Sequence, residues 1–154
     1  DLEIATIKEQ VVQVVKYFDN NHFASAALKS ACGQRLMMPQ DVRWNTMCGC
    51  LESYIKHWPT LMAICEEHRN EIDKNIGNII NNGGVKRNAE ELLQILKPIA
   101  TSLDHIQKET CSIADAVEIW KKLEKELPLT SFEMKRKFKK RTDQALLPSH
   151  FLAI

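Results

Sequence analysis

Apolar residues recur at steps of three and four in the first stretch of the chain. Ile4, Ile7, Val11, Val14, Val15 and Phe18 fall on one side of a helix from Leu2 to Phe18. Asp19-Asn20-Asn21 supplies a turn and an N-cap for a short Ala-rich helix, Phe23 to Ala31, closed by Gly33. The helical period then stops. Arg35 to Trp44 reads as an extended connector with room for one short strand, because Pro39 fixes its own backbone and restricts Met38 before it.

Asn45 or Thr46 is placed to cap a helix carrying Met47, Leu51, Tyr54, Ile55 and Trp58, interrupted at Pro59 and resumed by Leu61, Met62, Ile64 and Cys65. The rhythm of Ile72, Ile76 and Ile80 predicts a helix from His68 to Ile80, closed by Asn81-Asn82-Gly83-Gly84, which tolerate positive φ. Asn88 with Glu91 marks the start of a helix through Leu92, Leu93, Leu96, Ile99, Leu103 and Ile106, bent at Pro98. Ser112 with Asp115 caps another, carrying Val117, Ile119, Trp120, Leu123 and Leu127 up to Pro128. Thr130 with Glu133 caps the last, which carries Phe132, Met134, Phe138, Ala145 and Leu146 and ends before Pro148. The expected fold is mainly α, a helical bundle of six to eight helices with at most one short strand around residues 35–44.

Composition narrows the class further. At 154 residues, 44% apolar and 27% charged, the chain has the make-up of one ordinary globular domain. No run of about 18 apolar residues suggests a membrane span. The start at Asp1 has no leader-like pattern, and the absence of Met there leads us to expect an excerpt of a longer protein. Five cysteines, an odd number without a CxxC pair, are expected to be reduced intracellular thiols, and Cys48-Gly49-Cys50 is two ligands short of a zinc site. Twenty-one cations against twenty acids leave a net charge of +1, so any affinity for nucleic acid must come from local clustering.

No catalytic or metal-binding set is expected in this chain. His22, His57, His68, His105 and His150 are scattered, and Gly83-Gly84 lacks a phosphate-loop context. Glu66-Glu67 and Glu90-Glu91 are adjacent on helices, so each pair diverges by about 100°. No small-molecule substrate is evident. Two features carry chemistry instead. In Asp41-Val42-Arg43-Trp44-Asn45-Thr46, a guanidinium beside an indole at the end of an extended segment can hold a phosphate and stack on a base, while core packing of the indole stays an open alternative. In the stretch from Lys135 to Arg141, six of seven residues are cationic: Lys135, Arg136, Lys137, Lys139, Lys140 and Arg141. That run suits a nucleic-acid contact or a nuclear-import signal, or else a solvated helix face with Phe138 tucked inward.

The order Pro39-x-Asp41-Val42-Arg43-Trp44-Asn45-Thr46, a helix with Leu51-Glu52-Ser53-Tyr54-Ile55, then Leu92-Leu93 through Leu96-Lys97-Pro98-Ile99 and Ala116-Val117-Glu118-Ile119-Trp120 resembles hAT-superfamily transposases and the host proteins derived from them. The likeness spans nearly the whole chain. It implies a fragment of an RNase H-like transposase core, with residues 1–44 as part of that core and 45–154 as the all-α insertion domain. It implies DNA as the partner and the nucleus as the location, with Trp44 stacking on a flipped base and Arg43 as its phosphate or structural partner. In an intact family member two Asp and one Glu hold divalent Mg or Mn. Those acids are expected outside this chain, and Asp1 is not one of them, so the excerpt is expected to be non-catalytic by itself. The competing expectation is a helical protein-interaction module of a domesticated nuclear protein, binding a protein partner or itself.

Overall fold

The structure, a computed structural model, describes residues 2–40, 44–127 and 132–145, and for 2, 3, 44, 132–134 and 145 the backbone alone. The described residues form seven helices and no strand: α1 (Leu2–Asn20), α2 (His22–Cys32), α3 (Trp44–Glu67), α4 (Lys74–Asn81), α5 (Gly83–Ile106), α6 (Ile113–Glu126) and α7 (Phe132–Ala145). None of these helices is long and apolar enough to cross a membrane. The chain divides into two compact units, residues 1–93 and 94–154.

In the first unit α1 packs on α2, α3 and α4, and α3 packs on α2 and α4. The stripe on α1 supplies Val11, Val14, Val15 and Phe18, which are closed to solvent, as are Leu51, Tyr54 and Leu61 of α3 and Ile80 of α4, the helices α1 packs on. Burying side chains of this kind stabilises by about 1.5–3 kcal/mol each, before the entropy of ordering them is counted. The α1–α2 corner forms as its sequence demands. The Asn21 side chain accepts a hydrogen bond from the Ala24 amide at 3.0 Å, and Gly33 ends α2 with φ 68°, a left-handed conformation that glycine adopts without strain.

Residues 34–40 form no strand; they run along α3 in the opposite direction. Lys56 Nζ donates to Gln34 Oε1 at 3.2 Å, the Met37 amide donates to Ser53 Oγ at 2.9 Å, and Thr46 Oγ1 donates to the Gln40 carbonyl at 2.9 Å. Leu36 is buried beneath this strap. A segment whose backbone polar groups find partners on a helix has no need of a sheet.

Helix ends depart from the sequence pattern at four places. α3 begins at Trp44, ahead of the expected caps Asn45 and Thr46, and runs through Pro59. Proline leaves the Ile55 carbonyl without its helical donor, but Leu61, Ile64 and Cys65 beyond it are buried and Trp58 Nε1 donates to the Ile80 carbonyl at 2.9 Å. The helix expected from His68 starts only at Lys74. The Asp73 carboxylate accepts from the Asn75 and Ile76 amides at 2.9 and 3.2 Å, while the Asp73 amide donates to Tyr17 Oη at 3.1 Å. The break at 81–84 shrinks to Asn82, whose side chain accepts from the Gly84 amide at 2.9 Å, so α5 starts at Gly83 without any positive φ. Asn88 therefore lies inside α5 rather than at its start, while α5 runs through Pro98 to Ile106 in line with its apolar spacing.

Candidate nucleic-acid interface

The second unit holds the C-terminal part of α5 with α6 and α7. α6 starts as expected: Ser112 Oγ accepts from the Asp115 amide at 3.1 Å while the Asp115 carboxylate accepts from the Ser112 amide at 2.9 Å, a reciprocal capping box. The carboxylate also accepts from Ser112 Oγ at 2.6 Å, and these bonds hold Asp115 below the usual carboxylate range. Capping fixes where Trp120 emerges, two turns further on.

Trp120 anchors α7. Its ring stacks on Phe138 with centroids 5.8 Å apart and planes 17° from parallel. Its Nε1 donates to Thr142 Oγ1 at 2.8 Å, and that hydroxyl donates to the Phe138 carbonyl at 3.1 Å. Phe138 and Thr142 are four residues apart, so they form one ridge of α7, and both are half-buried.

Cations occupy most of the remaining circumference, with the exposed Asp143 one turn beyond Lys139. Successive helical residues turn by about 100°, so Lys135 with Lys139, Arg136 with Lys140, and Lys137 with Arg141 make three further ridges. The Arg136–Lys140 ridge lies opposite the Phe138–Thr142 ridge, with the other two on its flanks. All six cations are exposed. Elsewhere cations pair along their helices, Lys86 with Glu90 at 2.8 Å and Lys122 with Glu126 at 3.6 Å. Lys135, Arg136, Lys139, Lys140 and Arg141 make no ion pair with another described residue. Setting the six aside leaves fifteen cations against twenty acids, so the rest of the chain carries a net −5. The positive charge is thus concentrated on one helix, and each of the three like-charged i, i+4 pairs costs that helix about 0.2–0.5 kcal/mol. An anion laid along α7 relieves that repulsion.

Other places offer less. A cavity of about 800 Å³ in the second unit is lined by Lys97, Lys108 and Lys122 but also by Asp115, Glu118 and Glu126, so it favours neither sign of charge. Among the described residues no group of three His, Cys, Asp or Glu is placed to hold a metal ion. Burial pushes the Cys50 thiol up to about 11 and also raises Cys65, which keeps both protonated and poor nucleophiles at neutral pH. Burial, and then Lys56 beside it, lower the pKa of His57.

Of the residues singled out in the sequence, the six cations of α7 are brought onto one element and exposed. Arg43 lies outside the described residues, as do the expected cap at Thr130 and the stops at Pro128 and Pro148; Trp44 is described only as the first backbone position of α3. Sequence reasoning missed Thr142 as the partner of Trp120. Its only trace is a neutral hydroxyl four residues after Phe138, the pair that interrupts the cationic pattern. The chain matches no known protein family, no curated protein and no solved structure.

Proposed function

We propose that this chain is a non-catalytic helical module that binds DNA phosphates through the cationic surface of α7, as part of an hAT transposase-like nuclear protein. The observation that carries this reading is the concentration of six exposed cations on a helix whose fourth ridge is held by Trp120, in a chain otherwise net negative. The resemblance of the Pro39 to Thr46 element to that superfamily adds Arg43 and Trp44 as a second contact, with residues 1–44 deriving from the RNase H-like core and 45–154 from its insertion domain. Divalent Mg or Mn would belong to the acids of an intact relative, and this chain contributes phosphate contacts to that machinery rather than metal ligands.

The test is binding of the full chain to labelled DNA over a range of salt. Affinity should fall steeply as salt rises, because each phosphate neutralised by Lys or Arg releases condensed counterions. Replacing Lys135, Arg136, Lys137, Lys139, Lys140 and Arg141 by Glu should abolish it. Unchanged binding in that variant would remove α7 as the contact. No binding by the parent chain at low salt would leave the protein-interaction module as the better reading.

A further inference from the structure

Resting on that DNA-binding reading, we infer that α7 takes duplex B-form DNA lengthwise in its major groove, rather than a single strand or an RNA duplex. The distribution of charge around the helix carries the argument. A single row of phosphates is reached from one side of a helix, which leaves cations on the opposite flank in water. In α7 both flanks are cationic, Lys135 and Lys139 on one and Lys137 and Arg141 on the other, with Arg136 and Lys140 between them. That arrangement fits a channel with a phosphate backbone on each wall. The major groove is about 12 Å wide and an α-helix with its side chains measures about 10–12 Å across. The seven residues from Lys135 to Arg141 that carry the cations extend about 10 Å, the rise of about three base pairs. The ridge pointing away from Trp120 then faces the groove floor, where the Arg136 guanidinium can donate to O6 and N7 of guanine.

The aromatic rings decide against a single strand. Sequence-tolerant single-strand binding needs ring faces open among the cations for bases to stack on. Phe138 and Trp120 are instead stacked on each other and half-buried, on the side of α7 opposite its outward cations. An A-form RNA duplex fails for a different reason, since its major groove is too deep and narrow to admit the helix.

Fluorescence anisotropy of the full chain with three probes of equal length, a DNA duplex, one of its strands and the matching RNA duplex, tests this. The DNA duplex should bind about tenfold or more tighter than either other probe at the same salt, with a log–log salt slope of about −3.6 for the four flank cations on phosphates. Lys135→Gln with Lys139→Gln, and separately Lys137→Gln with Arg141→Gln, should each flatten that slope by about two and weaken binding to a similar degree, with helix content by circular dichroism unchanged. Equal or tighter binding to the single strand or the RNA duplex would overturn the inference, as would a loss confined to one flank. Failure to bind any of the three probes at low salt would instead sink the DNA-binding reading beneath it.

Discussion

Trp120→Ala should release α7 from α6 while leaving the first unit folded. The substitution removes the stack on Phe138, worth about 0.5–1.5 kcal/mol beyond area burial. It also removes the hydrogen bond to Thr142, worth about 1 kcal/mol. Truncating a fully buried Trp costs about 3–5 kcal/mol in all, and this one is half-buried, which places the loss near 2 kcal/mol. That corresponds to a roughly thirtyfold rise in the population of detached α7. Trypsin reads it directly, because α7 carries cleavage sites at each of its six exposed cations. When opening is fast relative to cleavage, the cleavage rate tracks the open population, so fragments ending between Lys135 and Arg141 should appear about thirtyfold faster. Trp120→Phe, which keeps a ring on Phe138 but loses the N–H donor, should fall between the two. An unchanged rate of cleavage in α7 for Trp120→Ala would refute the claim that this indole holds the helix in place.

Three other outcomes follow from the packing. Tyr54 is closed to solvent and its hydroxyl has no hydrogen-bond partner among the described residues, and burial, then Cys65 beside it, push its pKa up to about 12; Tyr54→Phe should therefore raise the urea midpoint, by about 1 kcal/mol of stability, and a lower midpoint would contradict the orphaned hydroxyl. His57 is buried with a lowered pKa, so the unfolded chain takes up a proton at higher pH than the folded one; stability should fall as pH drops below about 6.5, and His57→Leu should flatten that part of the urea-midpoint profile. Ser112→Ala should destabilise α6 by about 1 kcal/mol in urea denaturation through loss of the capping box. Because its bonds to Ser112 depress the Asp115 pKa, the parent's contribution from Asp115 should be present above about pH 3.9 and lost as pH falls through the depressed value, a dependence that should be weaker in the Ser112→Ala variant, which keeps only the backbone N–H donor.

The features legible in the sequence are those whose physics closes within a few residues. Asn21 reaches an amide three positions on, Gly33 needs only its own φ, and Ser112 and Asp115 satisfy each other across one turn. The apolar stripe of α1 is legible for the same reason, since helical geometry alone puts Val11, Val14, Val15 and Phe18 on one side. The six cations of α7 can likewise be counted and placed on a helix from residue type and spacing alone.

Tertiary structure decided what rests on partners distant in the chain. The turn before α4 holds because the Asp73 amide finds a phenol 56 residues earlier, and nothing near His68 announces that. Asn88 with Glu91 has the spacing of a cap, yet Asn82 opens α5 a turn and a half sooner, and α3 outlasts Pro59 because the residues beyond it are buried in the core. At the candidate interface the division is sharpest. Sequence alone determined how much charge α7 carries, because charge belongs to residue type. That Phe138 lies on the uncharged ridge was legible as well; that Trp120, 18 residues before Phe138 and 22 before Thr142, is what covers this ridge was settled only by packing, since nothing local to α7 names its partner.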